Sequence, residues 1–135
     1  AGKENPADLA VIVDGFNAVK AQAEVILVEG AGGWYSPLNE CQDNRDLAVA
    51  LGLPVMMVVA ISLGCINHAR LTYQAIISSG SDCVGWIAAC VNPDELCVEE
   101  NIAAIKTKLD APLLGVLPYL DRPDFAVLAK NLRIL

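Results

Sequence analysis

Apolar positions along the chain fall into two alternating rhythms. Between Pro6 and Ala23 they stand at Leu9, Ile12, Val13, Phe16, Val19 and Ala23, offsets of three and four that line one side of a helix. Asn5 ahead of Pro6 reads as its N-cap, with proline in the first helical position. Gly15 lies inside this helix and weakens it slightly. The run Val25–Val28 is wholly apolar and rich in β-branched residues, the pattern of a buried parallel strand. Asn44 to Leu51 suits a short helix stopped by Gly52. Pro54 then leads into a second strand, Val55–Ile61. After Ser62–His68 a helix runs to about Ser79 and ends at Gly80. A third strand spans Val84–Val91, Asp94 can cap a helix to about Leu109, and a fourth strand covers Leu113–Leu117. Pro123 to Leu132 reads as helix. Helix and strand alternate throughout, which predicts an α/β fold of βαβ units, a parallel sheet with helices on its faces. A sheet of four such strands leaves an apolar edge in need of a neighbour. No repeat, low-complexity tract or linker interrupts the pattern, so residues 1–135 read as a single domain.

Composition narrows the function classes. With 135 residues, 55% of them hydrophobic and 19% charged, the chain can bury a core and is not a disordered segment. Sixteen acids against nine bases give a net charge of −7, the wrong sign for a nucleic-acid face. A small anionic ligand is not excluded, because such sites use local amides and a few cations. No apolar run is long enough to span a membrane, and the first residues lack a signal-peptide layout. The five cysteines (41, 65, 83, 90 and 97) include no CxxC pair, and His68 is the only histidine. A structural zinc site is therefore unsupported, and reduced thiols in a cytoplasmic protein are expected.

Candidate chemistry concentrates where Val25–Val28 meets Glu29-Gly-Ala-Gly-Gly33. Ligands of open α/β sheets bind beyond the carboxyl ends of the strands. A carboxylate there, followed by Gly30, Gly32 and Gly33, can serve a Mg²⁺–phosphate site in which backbone comes close to the ligand. The same residues read equally as a tight turn with a solvated acid. A second candidate is Gly64, Cys65, Ile66 and Asn67, where amides at a helix start and the positive end of its dipole favour an anion. Asn67 can also be an ordinary helix cap. Cys65 reads as a small packing residue, with no base nearby to activate it, and His68 as structural.

Three segments together resemble dethiobiotin synthetase: Val28-Glu-Gly-Ala-Gly-Gly-Trp34 with Pro37-Leu38, Leu63-Gly-Cys-Ile-Asn-His-Ala69, and Ala111-Pro-Leu-Leu-Gly-Val-Leu-Pro-Tyr-Leu120. Gly85-Trp86-Ile87 falls between them, and the match runs over essentially the whole chain. The resemblance implies a P-loop NTPase-like, three-layer fold and a homodimer. It implies ring closure of 7,8-diaminopelargonic acid with CO₂, ATP and Mg²⁺ in biotin biosynthesis, by way of a carbamate that ATP phosphorylates. Glu29 matches the family's Mg²⁺-coordinating acid, and Gly30, Gly32 and Gly33 the adjoining nucleotide loop. Gly64, Cys65, Ile66 and Asn67 match the segment that receives the substrate's carboxylate tail, near the dimer interface. Pro118, Tyr119 and Leu120 match the loop beside the nucleotide base.

Two departures qualify the match. No G-x-x-x-x-G-K-[ST] loop or longer variant occurs in the sequence, although that loop supplies the phosphate-binding amides and lysine. The chain is therefore expected to correspond to the C-terminal part of a synthetase, with the N-terminal strands and P-loop absent, and to need them for catalysis. At Ala89 the family often carries an adenine-reading asparagine, which leaves adenine selectivity and a looser nucleotide preference both open. Two other functions remain open: a catalytically incomplete paralogue that binds or regulates, and a related P-loop amidoligase for another carboxylated substrate.

Overall fold

Stretches rich in Val, Ile, Leu and Met become the sheet, and the 3–4 periodic stretches between them become helices. The computed structural model describes residues 7–133. In chain order the elements are α1 (Leu9–Lys20), α2 (Asn44–Leu51), β1 (Val55–Ile61), α3 (Cys65–Ser78), β2 (Cys83–Cys90), α4 (Val98–Lys108), β3 (Leu113–Leu117) and α5 (Phe125–Ala129). The three strands form one parallel sheet in the order β1-β2-β3. Parallel neighbours need a crossover between them, and α3 and α4 supply the two crossovers.

The central strand sets the core. Trp86 pairs in register with Met57 on one side and Leu113 on the other, and Ala88 with Val59 and Val116. On the face these residues share, Cys65, Ala69 and Ile76 of α3 and Ile105 of α4 complete a continuous buried cluster. The opposite face is barer, with Val58 of β1 largely exposed. Beyond α5 the chain returns to the far side of β3. Gly115 bridges antiparallel to Leu132, and the Arg133 amide donates to the Leu114 carbonyl at 2.8 Å.

Four expectations are corrected. The run 25–28 is not a strand: it has no ladder partner among the described residues, and Leu27 is 77% exposed. A β-branched apolar run becomes a strand only when a neighbour takes up its backbone groups. Consequently three strands pair where four were expected. Helix α1 begins at Leu9, where the Asp8 side chain accepts from the Ala10 amide at 2.9 Å and acts as N-cap; the expected cap Asn5 and Pro6 lie outside the described residues. Helix α3 begins at Cys65 behind Gly64, which takes φ 90° as its N-cap, so Asn67 lies inside the helix and does not cap it.

The fourth correction concerns α4. Asp94 does not cap it, because Asn92 captures that segment first: its side chain accepts from the Asp94 amide at 3.1 Å and its carbonyl from the Glu95 amide at 3.4 Å, an Asx turn. The helix starts instead after Cys97, which stands at φ 57° with no side-chain cap. A side chain in that left-handed region costs on the order of 1 kcal/mol. Glu99 and Glu100 in the first turn and Lys106 and Lys108 in the last complement the helix dipole. Cys97→Gly is expected to raise stability by about 0.5–1 kcal/mol, read as an upward shift of the denaturant midpoint at unchanged slope.

Candidate functional site

All three strands run the same way, so their carboxyl ends open on one end of the sheet. From β1 issues Ser62-Leu-Gly64 and then α3, from β2 the turn at Asn92, and from β3 the loop Pro118–Leu120. Ala89 pairs in register with Leu117, the residue directly before Pro118, and with Ala60 on its other side. The fold thereby sets Ala89 close to the chain leading into Pro118, Tyr119 and Leu120. At this position β2 offers only a methyl group.

At the start of α3 the geometry suits an anion. The Cys65 amide donates to the Ser62 carbonyl at 3.0 Å, while no protein acceptor meets the amides of Ile66 and Asn67 among the described residues. Those two free N–H groups carry the positive end of a 14-residue helix. An open cleft of about 700 Å³ lies alongside, lined by Gly64 before α3, by Ile66, Asn67 and Arg70 of α3, and by Asp94 and the α4 residue Asn101 facing them. Cys65 points the other way, buried with Ala69 in the core. The His68 ring lies under Gly64, where a Cβ would stand 3.6 Å from its Cε1. Burial pushes the Cys83 and Cys90 thiols above their ordinary range, with Glu99 adding to the effect on Cys90. Both stay protonated at neutral pH and are poor nucleophiles. All five cysteines are free.

Glu29 is exposed at the end of the unpaired run, and the glycine loop after it is built onto the start of α2. Asp43 and Asp46 form a reciprocal capping box that fixes this helix end. The Asn44 amide donates to the Ser36 carbonyl at 3.1 Å, and the Arg45 amide to the Trp34 carbonyl at 2.9 Å. The Asn44 side chain donates to the carbonyls of Ala31 and Gly33, both at 2.9 Å. Ser36 closes the turn: its hydroxyl accepts from the Gly33 amide at 2.7 Å. Gly32 takes φ 81° against the Ser36 side chain, a conformation and a closeness that only glycine tolerates. Trp34 then packs on the core, and with Tyr35 it faces Leu71, Thr72 and Ala75 of α3.

Asn44 was not singled out from sequence, where it reads only as the start of a helix. The available signal was indirect: Asp43 and Asp46 already cap α2, which leaves the neighbouring Asn side chain free for another task. Among the described residues no hydrogen bond joins Glu29 or the glycine loop to Gly64–Asn67 or to Pro118–Leu120. Nor does any group of three His, Cys, Asp or Glu side chains there form a ready metal cluster. A lone exposed carboxylate suits a hard divalent ion that arrives with phosphate oxygens and keeps several waters, as Mg²⁺ does, and does not suit a resident metal held by protein alone. No helix among the described residues is long and apolar enough to cross a membrane.

Comparison with known proteins adds to this geometry. A sequence profile of the AAA domain family matches residues 2–125. The chain is 46% identical over 127 residues to the ATP-dependent dethiobiotin synthetase BioD of Aromatoleum aromaticum, an alignment that takes in 94% of this chain and 56% of that protein. It is 46% identical over 126 residues to the protein of the same name from Xanthomonas axonopodis pv. citri, covering 93% and 56%. It is also 46% identical over 121 residues to ATP-dependent dethiobiotin synthetase BioD 2 of Yersinia pestis, covering 90% and 54%. The chain thus spans little more than half the length of these curated relatives. With the profile spanning nearly all of its residues, the chain belongs to the AAA domain family, and it resembles the ATP-dependent dethiobiotin synthetases over 94% of its own length.

Proposed function

We propose that this chain is a portion of an ATP- and Mg²⁺-dependent dethiobiotin synthetase of biotin biosynthesis, and that residues 1–135 act as one domain within it. The observation that carries the reading is the delivery of Gly64–Asn67, Ala89 and Pro118–Leu120 to the same carboxyl end of a parallel sheet, where ligands of such sheets bind.

In this reading the diamine substrate lays its carboxylate tail against the free amides of Ile66 and Asn67. One amine of 7,8-diaminopelargonic acid adds to CO₂ and loses a proton, giving a carbamate. A carbamate oxygen takes the terminal phosphoryl group of ATP, releasing ADP. The second amine then attacks the activated carbonyl, a C–N bond forms, and phosphate leaves as the ring closes. Catalysis is mostly positioning and neutralisation of charge. Glu29 would hold the Mg²⁺, which supplies charge neutralisation on the phosphates. Backbone around Gly30, Gly32 and Gly33 borders the phosphates, and the main chain of Pro118–Leu120 borders the base, with Tyr119 offering apolar ring area. A homodimer fits the exposed apolar residues at the cleft: Leu63 is 96% exposed beside the start of α3, and Leu96 faces solvent across from it.

The test is direct. A complete protein carrying this chain, or this chain mixed with the P-loop portion of a relative, is given the diamine, bicarbonate, ATP and Mg²⁺, and dethiobiotin is measured by mass spectrometry. Product that requires all four supports the reading; a folded complex that yields none overturns it. The methyl of Ala89 leaves base discrimination to the main chain. Ala89→Asn is therefore expected to raise the preference for ATP over GTP by about tenfold in kcat/KM, the worth of one added polar contact to the base.

A further inference from the structure

We propose that Asn44 is the positioning residue of the glycine loop, setting the shape of Glu29–Gly33 and through it the placement of the Glu29 carboxylate; this deepens, and rests on, the reading of Glu29 given above. Asn44 is the one buried polar side chain among the described residues, 9% exposed. Both protons of its amide nitrogen are used, on the carbonyls of Ala31 and Gly33 at 2.9 Å each. Two carbonyl acceptors fix the orientation of the side chain, since turning the amide over would set oxygen against oxygen twice. The cost of this orientation is visible: Oδ1 is buried without a partner among the described residues.

The amide is also a wall. A Cβ built at Gly30 would come within 2.9–3.0 Å of Asn44 Cγ, Oδ1 and Nδ2. Gly30 is therefore small to let the loop lie against Asn44. A capping role does not explain the side chain, because the Asp43–Asp46 box already caps α2. What Asn44 does hold is a run of four residues, three of them glycine, that no strand pairs with among the described residues. Glycine gives up the most conformational freedom on ordering. Two part-buried hydrogen bonds from one rigid helix end supply the order that a β-ladder would otherwise provide, and Glu29 directly precedes the clamped run.

The experiment uses the complete synthetase that carries this chain, with Asn44→Ala, Gly30→Ala and Glu29→Gln made separately. Amide hydrogen exchange over residues 30–34 reports the loop; exchange in α3 and β2 reports the fold. Steady-state assays give the Mg²⁺ half-saturation and the diamine KM. Asn44→Ala is expected to speed loop exchange by about tenfold, leave α3 and β2 protected, raise the Mg²⁺ half-saturation by about tenfold and move the diamine KM less than about twofold. A role confined to overall stability would lower the active fraction and leave the Mg²⁺ half-saturation unchanged. If Asn44→Ala does not fold, Gly30→Ala makes the same test by pushing the loop off an intact Asn44, with the same expected shifts. Unchanged loop exchange in the folded variant overturns the inference. So does faster exchange with unaltered Mg²⁺ dependence when Glu29→Gln does alter it. If Glu29→Gln leaves the Mg²⁺ dependence untouched while Asn44→Ala speeds loop exchange, the metal role of Glu29 falls and the clamp itself stands.

Discussion

Replacing Glu29 with alanine in the complete synthetase is expected to lower kcat by about a hundred- to a thousandfold while the diamine KM changes by no more than a few fold. The asymmetry follows from where charge develops. Phosphoryl transfer spreads negative charge over oxygens that the diamine's carboxylate tail never touches, so a Mg²⁺-holding carboxylate acts on the transition state and hardly on capture of the tail. In the proposed reading the tail would meet the free amides of Ile66 and Asn67, on a different element. Titrating Mg²⁺ in the variant distinguishes the cause: excess Mg²⁺ should restore part of the rate. Wild-type turnover at limiting Mg²⁺ would remove Glu29 from the metal site. Glu29 is exposed, and among the described residues its side chain makes no ion pair or hydrogen bond, so the loss should come without a matching loss of stability.

The largest effect on stability is expected at Trp86. It is 0% exposed on the central strand, flanked in register by Met57 and Leu113 and packed within the cluster that joins α3 and α4 to the sheet. Trp86→Ala leaves a large cavity and should cost about 3–5 kcal/mol. That is a large share of the roughly 5–15 kcal/mol available to an ordinary domain. Trp86→Phe should cost far less, because the indole Nε1 has no partner in the core and losing it breaks no hydrogen bond. Denaturant unfolding of both variants checks the pair. An alanine variant within about 1 kcal/mol of wild type would show that the cluster collapses around the gap.

How much of this could be read beforehand depends on the range of the forces involved. The helix Asn44–Leu51 and the strands Val55–Ile61 and Leu113–Leu117 stand where pattern placed them, because apolar rhythm, a capping residue and a terminal glycine are all local. The run Val25–Val28 was misread because strandness depends on a partner, and apolar composition alone does not supply one. The start of α4 was misread because two caps competed within three residues and Asn92 won with an Asx turn over Asp94. Of the candidate site residues, Glu29, the glycines and Gly64–Asn67 stand out in the sequence as motifs. Asn44 does not, since its contacts reach back 13 and 11 residues to loop carbonyls, and its own neighbourhood marks it only indirectly, through the capping box on either side.

The strap beyond α5 has a consequence for how this sheet can be enlarged. Leu132 and Arg133 occupy the outer side of β3, and Gly115 lets the Asn131 carbonyl come so near that any side chain there would collide with it. That border is sealed against further pairing. On the opposite border β1 presents unpaired backbone groups among the described residues, next to the exposed Val58. The sheet is thus polar in the sense of a growing filament, capped at one end and receptive at the other. Any strand that joins it, from the same polypeptide or a different one, has a single seat beside β1, and until that seat is filled β1 is also the place where unwanted association begins.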